Sequence, residues 1–210
     1  YDQIFDVGSY AAEQQGTAKQ SESVGWLIES IRTLRRRYGD IHVRFGEPIS
    51  LNAESVPESS EDERALNVQK LAFKALRGVN KVTPITPTSV VTLALLANEH
   101  KAMTVEEIRE ELRSLVGYII RRRLPTTERV RFGGTIQVRE VLDRLEEHNI
   151  VTRFDEGPRP VYRIQDKQYL AAAYYRNTIV HFFVTGAIAE LALLRAAESD
   201  LTDVGEVFWQ

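Results

Sequence analysis

The 27 residues from Gln168 to Leu194, QYLAAAYYRNTIVHFFVTGAIAELALL, constrain the chain more than any other stretch, being its longest apolar run with no proline and a single glycine, Gly186. As one helix they would reach roughly 40 Å at ~1.5 Å per residue, the length of a core helix, an interfacial helix or a membrane span. The span is disfavoured, because His181 and Glu190 interrupt the run and each is costly at the centre of a bilayer. On a helical period Leu170, Tyr174, Asn177 and His181 recur on one face, with Arg176 on an adjacent one. A phenol, an amide and an imidazole amid so much hydrocarbon need partners, since an unpaired buried polar group costs about 1–3 kcal/mol. Two readings follow: a buried hydrogen-bonded cluster that holds this helix against its neighbours, or the polar lining of a substrate channel.

The remaining chain supplies what such a helix would pack on. With 210 residues, 43% hydrophobic and 27% charged, it is globular in composition and long enough for one full domain or two small ones. A net charge of -3 argues against a general nucleic-acid binder. The absence of cysteine removes disulfides, thiolate metal sites and thiol nucleophiles together, and fits a reducing compartment. The first residue is Tyr1 and no signal-peptide pattern follows, so the chain is expected to be cut from a longer polypeptide.

Taken in order, Val24, Leu27, Ile28, Ile31, Leu34 and Tyr38 keep a helical period, and Arg35, Arg36 and Arg37 gather at the end of that helix, where cations suit the negative end of the dipole. Ile41, Val43 and Phe45 alternate with His42 and Arg44 as in a half-buried strand. Residues 52–63 are a polar linker ending in Ser60 and Glu63, a capping pair, and divide residues 1–51 from a helical region, 64–210. A helix is expected from about Glu61 to Leu76, with Leu66, Leu71, Ala72, Ala75, Leu76 and Val79 inward. Pro84 and Pro87 exclude helix at their positions and bias Thr83 and Thr86 to extended geometry. Thr104 and Glu107 cap a helix striped by Ile108, Leu112, Leu115, Val116 and Ile119 and ending at Arg121, Arg122 and Arg123. A second helix, Ile136 to His148, turns Val138, Val141, Leu142 and Leu145 inward, and Ile150–Phe154 with Val161–Ile164 form a hairpin. Two helices and a hairpin in this order outline a winged helix. The tail closes on Val207-Phe208-Trp209, which is expected to dock back on the core.

The arginine clusters have two readings, solvated helix ends or contacts to anionic lipid headgroups or a phosphorylated substrate. A DNA-binding winged helix is the alternative from another class. It conflicts with Glu140, Asp143, Glu146 and Glu147 on the helix that would enter the groove, against Arg139 and Arg144. No glycine-rich phosphate loop, Gly-x-Ser-x-Gly elbow or His-Glu-x-x-His helix is present.

Four stretches, in order, resemble the bacterial membrane-associated glycerol-3-phosphate acyltransferases. Tyr1-Asp2 with Asp6-Val7-Gly8-Ser9-Tyr10 is similar to the end of that family's fourth conserved block, Asp6 replacing the usual Glu. Phe45-Gly46-Glu47-Pro48 is similar to a string that follows the acyltransferase core, and the Thr83–Ser89 passage with its apolar helix resembles the actinobacterial branch. Tyr174-Tyr175-Arg176-Asn177-Thr178-Ile179-Val180-His181 resembles a Tyr-Tyr-Arg-Asn-Asn-x-x-His segment near the family's C-terminus, with Thr178 for the second Asn.

The resemblance implies the C-terminal part of an enzyme that moves a fatty acyl group from acyl-CoA or acyl-carrier protein to the 1-hydroxyl of sn-glycerol 3-phosphate, peripheral on the cytoplasmic face of the cell membrane. The family's general base is a His-x-x-x-x-Asp pair. Five residues after His42, His100, His148 and His181 stand Glu47, Val105, Arg153 and Gly186, so no catalytic residue is assigned in this chain. By the resemblance Tyr1 and Asp2 are substrate-adjacent. Tyr174, Tyr175, Arg176, Asn177 and His181 are structural or channel-lining, and Arg35, Arg36, Arg37, Arg121, Arg122 and Arg123 are the lipid-facing candidates. No cofactor, metal or nucleic acid is expected; acyl donor and glycerol 3-phosphate would be partners of the catalytic domain upstream. The fold expected is α+β and predominantly α-helical: the end of an acyltransferase α/β domain with one or two strands, then a winged-helix-like unit and a long C-terminal helix.

Overall fold

A computed structural model describes residues 42–54, 60–98, 101–127, 130 and 134–198. Tyr1, Asp2, Arg35, Arg36, Arg37, the helix expected over Ser21–Tyr38 and the Val207-Phe208-Trp209 tail lie outside the described residues. The architecture is predominantly helical with one small antiparallel sheet, as the sequence implies. In chain order the helices are α1 (Leu51–Glu54), α2 (Glu61–Val82), α3 (Pro87–Ala97), α4 (Val105–Arg121), α5 (Thr135–Glu147), α6 (Tyr169–Asn177) and α7 (Val184–Glu198). The strands are β1 (Met103–Thr104), β2 (Val151–Phe154) and β3 (Val161–Ile164).

The centre of the molecule is α3, not the longer apolar run that dominates the sequence. Thr86 caps it, its hydroxyl accepting from the Ser89 N–H at 3.2 Å while the Ser89 hydroxyl accepts from the Thr86 N–H at 3.0 Å. Pro87 is the first helical residue, where its missing N–H costs nothing. The sequence expectation of no helix at both prolines therefore holds at Pro84 and fails at Pro87. Val90, Val91, Ala94 and Leu95 are buried, and the Thr92 hydroxyl donates to the Thr88 carbonyl at 2.9 Å, which lets a polar side chain sit inside.

Around α3 the order α3, β1, α4, α5, β2, β3 builds the winged helix. Strand order is β1-β3-β2, with Met103 opposite Tyr162 and Val151 opposite Ile164. The two-residue β1 was too short to carry a period and was not expected. Thr104 and Glu107 form the expected capping box on α4. Of its stripe, Ile108, Leu112 and Ile119 are buried and Leu115 and Val116 partly so. Val138, Val141, Leu142 and Leu145 of α5 face the core as the pattern predicts. Both α4 and α5 stop in a left-handed residue, Arg123 at φ 52° and Asn149 at φ 58°. In each, the next N–H reaches back to the last turn, Leu124 to Ile119 at 3.1 Å and Ile150 to Leu145 at 2.9 Å.

Three expectations are corrected. The stretch Gln168–Leu194 is not one helix: α6 ends at Asn177, a 3-10 turn spans Val180–Phe182, and α7 starts at Val184. Thr178, Ile179 and Val180 are three consecutive β-branched residues, poor at continuing a helix, and the Thr178 hydroxyl donates to the Tyr175 carbonyl at 2.7 Å. Residues 42–50 carry no strand ladder, and Val43 and Phe45 are exposed, since alternation alone does not supply a partner strand. Helix α2 runs six residues beyond Leu76, until Pro84 biases Thr83 to ψ 121°, and none of its residues is buried. Leu66, Ala72, Ala75, Leu76 and Val79, expected inward, are exposed, and Leu71 is only partly covered.

Candidate functional site

The polar segment at the end of α6 is where the sequence concentrates its signal. Ala171, Ala172 and Tyr175 point into the core, pinning the helix and leaving Tyr174 at 40% exposure and Asn177 on the surface. The Tyr174 and Tyr175 rings meet edge to face with centroids 5.8 Å apart. Arg176 folds over its neighbour, Nε and Nη2 donating to Asn177 Oδ1 at 3.1 and 3.0 Å. The buried column of Tyr174, Asn177 and His181 expected from the period is therefore absent. The helix break moves His181 out of register with the other two.

His181 instead reaches across the molecule. Its Nε2 lies 3.0 Å from the Asn80 carbonyl near the C-terminal end of α2, a contact that requires the Nε2–H form, and its ring packs 4.0 Å from Phe182. The same turn is held from the other side, where the Tyr118 hydroxyl of α4 donates to the Phe182 carbonyl at 3.2 Å and its ring meets Phe183 at 5.4 Å. Gly186 makes this approach possible: a Cβ there would stand 3.1 Å from the Tyr118 hydroxyl oxygen. His181 thus ties α2, and Tyr118 ties α4, to one turn. No local sequence signal could have paired His181 with a backbone carbonyl so distant in the chain.

Arg121, Arg122 and Arg123 stand exposed at the end of α4, and Arg122 lies over the Tyr118 ring, 5.6 Å from its centroid. Residues 42–49 run beside the C-terminal half of α2 and leave a groove of about 440 Å³ between them, lined by His42, Arg44, Glu47, Val79 and Val82. Arg44 anchors the strip, its Nη2 donating to the Thr126 carbonyl at 2.6 Å.

Electrostatic perturbations sit in the winged helix and mark structure. The Thr104 N–H bonded to the Glu107 carboxylate holds that acid below its usual range. Burial pushes the Tyr162 phenol up, and the bond to Asp155 raises Arg153. Among the described residues no three His, Asp or Glu side chains gather to hold a metal ion, and no helix is long and apolar enough to cross a membrane. The outer surface of α5 shows Glu140 and Glu147 to solvent, so the winged-helix shape lacks the charge of a DNA reader.

Comparison with known proteins decides the family. The family described as the glycerol-3-phosphate acyltransferase C-terminal region matches residues 10–209. This chain belongs to it. Among relatives of this acyltransferase C-terminal region, the putative acyltransferase plsB1 of Mycobacterium tuberculosis and of Mycobacterium bovis is 32% identical over 201 residues, covering 95% of this chain and 32% of that protein. A protein named glycerol-3-phosphate acyltransferase, from Colwellia psychrerythraea, is 26% identical over 201 residues, covering 90% of this chain and 24% of its own length. The chain thus spans about a third or less of the curated relatives it matches. The resemblance drawn from Tyr174–His181 and the three other stretches named the right family.

Proposed function

We propose that the chain works as the C-terminal region of a glycerol-3-phosphate 1-O-acyltransferase, which transfers a fatty acyl group from acyl-CoA or acyl-carrier protein to the 1-hydroxyl of sn-glycerol 3-phosphate. Its own task is to pack against and support the catalytic part, at the cytoplasmic face of the cell membrane. Residues 1–51 form the end of the acyltransferase domain, 52–63 a linker and 64–210 the supporting domain. The family match over residues 10–209 supports the reading of the chain as a C-terminal region.

The chemistry supports it. No His of the chain is followed five positions later by Asp, and among the described residues His181 hydrogen-bonds a backbone carbonyl, which positions the ring and gives it no carboxylate to act through. Tyr1 and Asp2 border the substrate site in this reading. Tyr174 and Asn177, exposed at the end of α6, and the half-buried Arg176 between them face the catalytic part, while Tyr175 and His181 hold that surface in place. The exposed apolar side chains of α2 and α7 extend the contact.

The test is an acyl-transfer assay on the purified 210-residue chain, with labelled glycerol 3-phosphate and a long-chain acyl-CoA. No product above the buffer blank is expected, and turnover would refute a supporting role.

A further inference from the structure

We propose that the cavity beside the end of α4 binds the phosphate group of an amphiphilic phosphate ester. Arg123 supplies charge there, the Thr127 hydroxyl donates to a phosphate oxygen, and the apolar wall meets the hydrocarbon. The cavity holds about 490 Å³, and its lining includes Ile119, Ile120, Leu124 and Val130 on the apolar side, and Arg123, Thr126 and Thr127 on the polar side.

Three independent observations meet in it. The Thr127 hydroxyl is buried, with the residue 6% exposed, and has no hydrogen-bond partner. A hydroxyl so placed is costly unless something outside the protein satisfies it. Arg123 occupies a left-handed backbone position, φ 52°, at a helix end where glycine is the usual and least strained residue. A side chain kept there against that preference points to a use for the side chain.

Charge is the third. Among the described residues no carboxylate forms an ion pair with Arg121, Arg122 or Arg123. Arg44, its guanidinium anchored 2.6 Å from the Thr126 carbonyl, adds a second cation beside Arg123. The negative end of the α4 dipole opposes an anion with about half an elementary charge. Arg123 and Arg44 outweigh it, and two of the last-turn carbonyls, Ile119 and Ile120, are already taken by the N–H groups of Leu124 and Arg123. A guanidinium and a hydroxyl select an oxyanion; the aliphatic wall beside them selects one that carries hydrocarbon.

The experiment titrates the 210-residue chain calorimetrically with dihexanoyl phosphatidic acid, below its micelle-forming concentration, and separately with inorganic phosphate. Phosphatidic acid should bind more tightly than phosphate. Arg123→Gly should weaken it at least tenfold and Thr127→Val several-fold. Both variants should keep or raise the melting temperature, because one relieves the left-handed position and the other deletes an unpaired hydroxyl. A purely structural role predicts the opposite, lower melting temperatures with unchanged binding. Equal affinity for inorganic phosphate would overturn the amphiphile, and wild-type binding by both variants, or none by the wild type, would overturn the site. The titration needs no turnover, so its failure is distinguishable from failure of the acyltransferase reading.

Discussion

Helices α2 and α3 are neighbours in sequence and opposites in structure. Seven of the 11 residues of α3 are buried, whereas none of the 22 residues of α2 is. Yet α2 carries Leu66, Val68, Phe73, Leu76 and Val79, all of them exposed. The helical period of its apolar positions would have turned one face of α2 to the core as well. Their surroundings differ too: α3 is wrapped by α4, α5, α6 and β3, while among the described residues α2 meets the rest near its C-terminal end, by Asn80 to His181 and by the strip of residues 42–49. The winged-helix body closes its own core, and α2 presents apolar surface that this body does not cover.

That contrast can be broken most sharply by truncation on the two sides. Leu142→Ala empties a fully buried position in α5 and should cost about 2–5 kcal/mol of unfolding free energy. Phe73→Ala in α2, where the residue is 71% exposed, should stay within about 0.5 kcal/mol of wild type. Urea unfolding of both variants checks this. A large loss from Phe73→Ala would mean that α2 is packed as tightly as the body.

The seam between the two regions gives a smaller effect. His181→Ala removes the bond to the Asn80 carbonyl and should cost about 0.5–1.5 kcal/mol. Asn177→Ala, at an exposed position, should cost less than about 0.5 kcal/mol. The linear period of the sequence predicts equal and larger losses from both, so thermal melts of the pair measure how far the break at Thr178 reorganises this segment.

Legibility in the sequence followed the range of the forces involved. Caps are local, so Ser60 on α2 and the Thr104–Glu107 box on α4 were found, and so was the stripe of α5 that packs on its immediate neighbours. The hairpin was visible because β2 and β3 are adjacent in sequence. Burial of α2 was misjudged because periodicity reports which face is apolar and says nothing of what lies against it. The continuous reading of Gln168–Leu194 weighed hydrophobicity above the low helix propensity of Thr178-Ile179-Val180. In the site itself, the family motif was legible and the geometry was not. Tyr175, one residue away from the expected column, is the aromatic that is buried, and Arg176 pairs with Asn177 beside it. The cavity beside Arg123 depends on a backbone dihedral and an unpaired hydroxyl that no pattern encodes.

The central claim of the proposed function is that α2 packs on a catalytic part of the protein while the winged-helix body stands on its own. Amide hydrogen exchange tests it directly, by comparing the 210-residue chain with a longer acyltransferase that contains it. The account predicts that protection of Glu61–Val82 rises by an order of magnitude or more in the longer protein while α3, α5 and β3 exchange as before. Equal exchange of α2 in the two proteins would contradict it.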